Sequence, residues 1–243
     1  MLQSQTRSFS EKAVLEVEKE EVVARLEKDD ADFVAIDGNE AAAYVAYAMS
    51  ENTFIYPITP ASSMGEHIDQ WITEGRKNIF GKVGTVDMMQ SEAGAAGAMH
   101  GATASGSLSS TFTSSQGLLL KIPNMYAIAG ELMPMVCHVA ARGLTKHALS
   151  IHCDHQDVMN IKDLGWAMVS SSNVQEVMDL SVISYVATLK TRIPFLSFFD
   201  GFRTSHEISK IKKVTYDQMR QLFPYEALHQ NLRKYGLEPS NTL

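Results

Sequence analysis

In the stretch MMQSEAGAAGAMHGA, Met88 to Ala102, a single carboxylate stands among Ala, Gly and Met. Glu92 falls at the opening of a predicted helix, Gln90 to Ala104, directly behind a short strand expected over Lys82 to Val86. Its neighbours from Ala93 to Ala98 are all tiny, so another body can approach the backbone closely. A carboxylate in such dry surroundings is costly unless something pairs with it. Two readings are open. Either a ligand supplies the partner, or the helix dipole tolerates a Glu at its start while the small face packs on a sheet.

Two further residues have the chemistry of a site. Arg142 ends a strand of small and apolar residues, Val139-Ala140-Ala141, so its guanidinium emerges from a dry wall. Its planar fork of donors suits a bidentate carboxylate such as that of a 2-oxo acid, and equally a structural ion pair with a nearby acid. Thr59 stands between Pro57 and Pro60, which fix its surroundings and hold its hydroxyl for donation or acceptance. On the residues alone, an ordinary turn threonine is the simpler reading. The loop holding His147, His152, Cys153, Asp154, His155 and Asp157 raises the question of zinc. Its order lacks the spaced pairs of a structural site and has one thiol, so no metal is assigned to it. Gln116-Gly117 and the loop Asp200 to Arg203 read as structural.

The elements that must position these residues alternate. After the turn Asp37-Gly38-Asn39, the Ala- and Tyr-rich run Glu40 to Met49 reads as helix. A strand is expected at Thr53 to Tyr56, halted by Pro57 and Pro60, and a helix at Ser62 to Glu74 with Ile68, Trp71 and Ile72 inward. Beyond the Glu92 helix, strand Ser109 to Thr113 leads to helical runs Gln116 to Ile122 and Met125 to Leu132, broken at Pro123. Strand Met135 to Ala140, strand Trp166 to Ser170, helix Val174 to Lys190 and strand Phe195 to Phe199 complete the pattern. Such alternation predicts an α/β fold, a parallel sheet with helices on both faces. Ligands in these folds bind outside the carboxyl ends of the strands, where the Thr59, Glu92 and Arg142 segments fall.

Composition narrows the classes. The 243 residues suffice for one large domain, and 45% hydrophobic with 20% charged residues is ordinary for a globular chain. A net charge of −7 argues against nucleic acid as a partner. Two cysteines, Cys137 and Cys153, give neither a disulfide framework nor a CxxC pair, and point to an intracellular protein. No apolar run approaches the ~20 residues of a membrane span. The first ten residues, MLQSQTRSFS, lack acids and carry one Arg, a weak organelle-targeting flavour beside the plainer reading of an unstructured start. Glu11 to Asp30, dense in charge of both signs, reads as a surface helix with Leu15, Val22 and Leu26 on one face. Residues 1–35 are therefore expected to be an N-terminal extension and 36–243 the domain.

Six segments occur in one order: FIYPITPASSMGE (Phe54 to Glu66), MQSEAGAAGAMHGA, TFTSSQGLLLKIPNMYAIAGEL (Thr111 to Leu132), HVAARG (His138 to Gly143), HALSIHCDHQD (His147 to Asp157) and FFDGFRTSHEI (Phe198 to Ile208). Together, from about Ile36 to Pro239, the chain resembles the first domain of the pyruvate:ferredoxin (flavodoxin) oxidoreductases, the pyrimidine-binding domain of a thiamine diphosphate enzyme. The resemblance implies oxidative decarboxylation of pyruvate to acetyl-CoA and CO2, with electrons passed to ferredoxin. It implies that Glu92 holds N1′ of the cofactor's aminopyrimidine, that Pro57 lies beside the cofactor, and that Thr59 and Arg142 bind the substrate carboxylate. Further implied are a homodimer of the complete enzyme and a cytoplasmic, hydrogenosomal or mitochondrion-like setting. Two departures stand out: Cys153 where the family pattern carries glycine, and Asp87-Met88 where it commonly places an arginine and an acid.

Half an active site is expected. Magnesium and the diphosphate belong to a second domain marked by a Gly-Asp-Gly run, which is missing here, and two cysteines cannot hold iron–sulfur clusters. The chain alone is expected to be inactive, supplying its half to remaining domains or subunits. The alternative is a non-catalytic scaffold or interaction protein that keeps the fold.

Overall fold

The structure is a computed structural model, described here for residues 33–145 and 147–234. The charged stretch Glu11 to Asp30 lies outside the described residues. Asp37 begins the architecture by accepting a hydrogen bond from Glu40 N at 2.8 Å, which caps helix α1 (Gly38–Met49). Every residue of α1 except Glu40 is buried, as a helix apolar all round must be. The expected start at Glu40 is therefore two residues late, because Gly38 and Asn39 donate their backbone N–H groups to Thr204 and Ser205 carbonyls and enter the first turn.

Six parallel strands form the sheet: β2 (Asn52–Ile55), β3 (Thr85–Met88), β4 (Ser109–Thr113), β5 (Val136–Ala141), β6 (Ala167–Ser171) and β7 (Phe195–Asp200). They lie in the order β3-β2-β4-β5-β7-β6. β4 and β5 are buried throughout, with Ser, Thr and His among their apolar residues. On one face pack α1, α2 (Ser62–Thr73) and α7 (Val174–Thr191), around Ile68, Tyr185 and Phe199. Over the other lie α3 (Glu92–Ala104), α4 (Ser115–Leu120) and α5 (Ile122–Gly130), around Met99, Leu118, Ile128 and Trp166. The α/β sheet with helices on both faces is as the alternation predicts.

Two boundaries differ instructively. β3 begins three residues later than expected because Asn78 Oδ1 accepts from Phe80 N and Lys82 N, folding Asn78 to Lys82 into a turn. The helical break falls at Lys121 rather than at Pro123, which sits in the first turn of α5, where its missing N–H costs nothing. Outside the expected pattern lie α6 (Gln156–Met159), α8 (Tyr216–Leu222), α9 (Tyr225–Leu228) and a π turn, His229–Arg233. A two-stranded antiparallel ribbon, β1 (Phe33–Ile36) with β8 (Ser209–Lys212), also stands apart from the main sheet.

The connectivity creates a crevice. From β2 the chain goes outward to β3, then returns past β2 to β4. Beyond the carboxyl ends of β2 and β4 the connections therefore leave in opposite directions, the place where open α/β sheets take ligands.

Candidate functional site

Glu92 owes its place to the residue before it. Ser91 Oγ accepts from Gly94 N at 3.1 Å and caps α3, so Glu92 becomes the first helical residue just after β3. There it is 6% exposed, and among the described residues its carboxylate makes no hydrogen bond. Across from it stands Gly117 in α4. A Cβ on Gly117 would lie 2.8 Å from Glu92 Oε1 and 2.8 Å from Thr113 Oγ1. Thr113 Oγ1 is itself buried without a hydrogen-bond partner. A glycine read from sequence as structural is thus the wall of the Glu92 cradle. One turn on, Lys121 is 1% exposed and donates from Nζ to Thr111 Oγ1 at 2.9 Å. Thr111 Oγ1 in turn donates to the Phe54 carbonyl at 2.7 Å.

The second half of the site gathers around Arg142, 5% exposed at the end of β5. Its Nη1 donates to the Thr59 carbonyl at 2.7 Å and its Nε to the Ser150 carbonyl at 2.6 Å. The structure therefore brings Thr59 and Arg142 together, through the threonine's backbone oxygen. Two of the guanidinium's five donors are committed to backbone carbonyls rather than to an acid. Thr59 itself is exposed. Pro57, also exposed, borders a small hollow with Tyr56, Ser62, Gly65 and Phe112. Asn39, wholly buried, donates from Nδ2 to the Pro60 carbonyl and to Ser63 Oγ, both at 2.7 Å, and so pins the turn that carries Thr59.

Behind Arg142 lies a residue that the sequence did not single out as a hub. Asp157 Oδ2 accepts from Ser115 N at 2.8 Å and Arg142 N at 3.1 Å, while Oδ1 accepts from Val158 N at 2.8 Å. Burial raises its proton affinity above the usual carboxylate range, and these backbone donors only partly offset that. The signal available was one of two Asp residues in a His-rich loop, which does not distinguish a ligand from a backbone clamp. Asn39 and Lys121 were also missed. The clue to Lys121 was one charge in the apolar run Leu118 to Met125.

No metal was assigned to the histidine loop. There, ligand-type atoms of Cys153, His155 and Asp200 lie within 4.8 Å of one another. They are occupied with each other: His155 Nε2 is 2.7 Å from Asp200 Oδ1, and the Cys153 thiol also hydrogen-bonds Asp200. Burial alone would raise the Asp200 carboxyl, but these two bonds hold it below the usual range. Ser150, His152, Cys153 and Asp154, with Gly143 and Gln156, line a cavity of about 240 Å³ beside the Arg142 loop. No hydrogen bond joins Glu92 to Thr59 or Arg142 among the described residues. What they share is the carboxyl edge of one sheet.

The family model described as the thiamine diphosphate-binding domain of pyruvate flavodoxin/ferredoxin oxidoreductase matches residues 44–243. The chain belongs to that family. It is 60% identical over 206 residues to the pyruvate:ferredoxin oxidoreductase of Moorella thermoacetica, covering 85% of this chain and 18% of the relative. A mitochondrial pyruvate dehydrogenase [NADP(+)] of Euglena gracilis is 59% identical over 199 residues, covering 82% and 11%. The pyruvate-flavodoxin oxidoreductase of Klebsiella pneumoniae is 53% identical over 206 residues, covering 85% and 18%. The chain therefore spans less than a fifth of the length of each of these three relatives. A 2-oxoglutarate:ferredoxin oxidoreductase from Magnetococcus marinus shares the fold with a TM-score of 0.68 at 19% identity, over 78% of this chain and 33% of that one. Among the described residues, no helix is long and apolar enough to cross a membrane.

Proposed function

We propose that this chain supplies the pyrimidine-binding and substrate-binding half of a thiamine diphosphate site in an enzyme that oxidatively decarboxylates pyruvate. The observation that carries this is the cradle at the switch point of the sheet. Among the described residues, the buried Glu92 carboxylate and the buried Thr113 hydroxyl make no hydrogen bond, and they can lie this close to α4 only because Gly117 has no side chain. Buried polar groups are rarely left unmatched, so the cradle fits a flat, polar ring that supplies the partners.

When bound, thiamine diphosphate supplies the carbanion chemistry at C2 and the electron sink for decarboxylation. The residues of this chain bind and orient. Glu92 would hold the aminopyrimidine at N1′ and exchange a proton with that atom, so that the 4′-nitrogen can serve C2. Gly117 lets the Glu92 side chain settle against α4. Thr59, on the turn pinned by Asn39, and the remaining donors of Arg142 would hold the substrate carboxylate. Pro57 would border the cofactor.

The rest of the reading follows the family resemblance; the relatives' names support pyruvate with ferredoxin or flavodoxin, and their lengths support further domains. Magnesium, the diphosphate grip and the iron–sulfur clusters are assigned to other domains or subunits, with which this chain forms the complete site. Products would be acetyl-CoA and CO2, the acceptor ferredoxin or flavodoxin, and the complete enzyme a homodimer in the cytoplasm or a mitochondrion-like organelle. Residues 36–243 would constitute the domain and 1–35 an extension.

The test is hydrogen–deuterium exchange at C2 of bound thiamine diphosphate in the complete enzyme. Glu92→Gln keeps the shape and loses the proton relay, so exchange should slow about 10²–10⁴-fold while cofactor affinity changes little. An unchanged exchange rate would place Glu92 outside the reaction and favour the scaffold reading.

A further inference from the structure

A lysine buried away from solvent with one neutral hydrogen-bond partner calls for an anion. Lys121 is in that position, 1% exposed and bonded to Thr111 Oγ1 alone among the described residues. Three features of the fold point to the anion. Lys121 follows Gly117 by four residues across the end of α4, which brings the two positions to one face of the turn. Helical side chains lean back toward the N-terminus, so the lysine stem runs toward the glycine that touches Glu92. Thr111, which receives its ammonium, is two residues before Thr113 on β4, hence on the same face of the sheet as the other hydroxyl that borders Gly117.

We infer that Lys121 is the counter-charge of Glu92, a positioning residue that holds this carboxylate in the cradle beneath the proposed pyrimidine site. Two acidic groups bear on the ammonium, Cys137 from β5 and Glu92 from α3. Burial pushes the Cys137 thiol up to about 11, so at neutral pH it is not an anion that could pair with the lysine. Burial also lowers the lysine's proton affinity, and the neighbouring Glu92 acts in the opposite direction, as a partner should. Among the described residues, Glu92 has no hydrogen bond of its own to fix it. A charge behind it would fix the carboxylate without occupying the oxygens that the cofactor ring needs.

The inference rests on the proposed function for its catalytic meaning, yet the pair can be tested without cofactor. In the full chain, Glu92→Gln, Lys121→Met and the double variant form a cycle read by denaturation midpoint. Methionine matches the lysine stem in length and is at home in a core. If the two charges are paired, Glu92→Gln lowers the midpoint in the native background and does so far less, or raises it, when residue 121 is Met. Equal shifts in the two backgrounds overturn the pair. Should a single variant fail to fold, the carboxyl carbon resonance of Glu92 in the unsubstituted chain is followed as Lys121 titrates. A coupled inflection supports the pair, and its absence overturns it.

The positioning role is then read in the complete enzyme at saturating thiamine diphosphate. Lys121→Met should slow C2 exchange at least tenfold, and should add nothing once Glu92 is Gln. A lysine that merely fills space would leave exchange at the native rate, which overturns the role. If instead Glu92→Gln itself leaves exchange unchanged, the pyrimidine reading fails, while the stability cycle still decides whether the pair exists.

Discussion

The two ends of the site are built on opposite plans. Around Arg142, most polar groups are paired: Asp157 collects three backbone N–H groups, Arg142 holds two carbonyls, and Asn39 Nδ2 locks the Pro60 turn, although Asn39 Oδ1 has no partner among the described residues. Around Glu92, by contrast, a carboxylate and the Thr113 hydroxyl are buried with hydrogen bonds unmade. A saturated network is rigid before any ligand arrives, whereas an unsatisfied one stores a demand that a ligand can meet. The Arg142 end is thus the frame, and the Glu92 end the socket. Substitutions should act on stability at the first and on function at the second.

The largest effect on stability should come from Arg142→Leu. It removes two charge-assisted hydrogen bonds to the part-buried Thr59 and Ser150 carbonyls, a kind of bond worth about 1.5–3 kcal/mol. Urea denaturation of the chain should show a loss of about 2–4 kcal/mol, with a fall in kcat/KM for pyruvate in the complete enzyme. A variant with unchanged stability would mean that the network is not the frame described.

Gly117→Ala should do the reverse. Its methyl would press on Glu92 Oε1 and Thr113 Oγ1, and misplacing a reacting group by about 1 Å costs about 10²-fold. C2 exchange in the complete enzyme should fall by that order while the denaturation midpoint of the chain moves little. A collapse in stability with normal exchange would turn the socket into ordinary packing.

A separate, pH-dependent effect concerns a residue outside both ends. His138 on β5 is fully buried, 3.1 Å from the Tyr185 hydroxyl, and burial lowers its pKa to about 3. The unfolded chain binds a proton at this ring below about pH 6.5 and the folded chain does not, so acidification through that window weakens the fold. The group's share is at most about 1.4 kcal/mol per pH unit. His138→Phe should flatten the stability profile between pH 6 and pH 4 relative to the native chain, and should leave C2 exchange untouched. Parallel profiles would show that the ring takes up its proton without unfolding.

Much of the fold was legible because its elements are long and strongly patterned. Ser109–Thr113 emerged with its observed bounds, and Val174 to Lys190 fell one residue short of the helix end. The ribbon of β1 and β8 was not legible: each strand has four residues, and their pairing is fixed by distant chain rather than by local sequence. Glu92 and Arg142 drew notice because their types are unusual for their settings, whereas Thr59 read alone as an ordinary turn threonine and was singled out by the family resemblance. Asp157 and Asn39 were not. Both serve backbone groups, and a residue's service to a backbone brought near by folding leaves no spacing to read. Lys121 was visible only as an interruption, since its meaning depends on Gly117 one turn away and on a helix from a different part of the chain.

The ribbon itself has a consequence for how the protein comes into being. β1 leads into α1, the buried centre of one face, yet its partner β8 lies beyond the last strand of the main sheet. During synthesis β1 leaves the ribosome early and has no strand to pair with until the whole sheet has followed. A contact so distant in sequence closes slowly and late. Until then β1 offers an open edge to any other extended chain nearby, which is where a nascent copy of this protein is most exposed to wrong company.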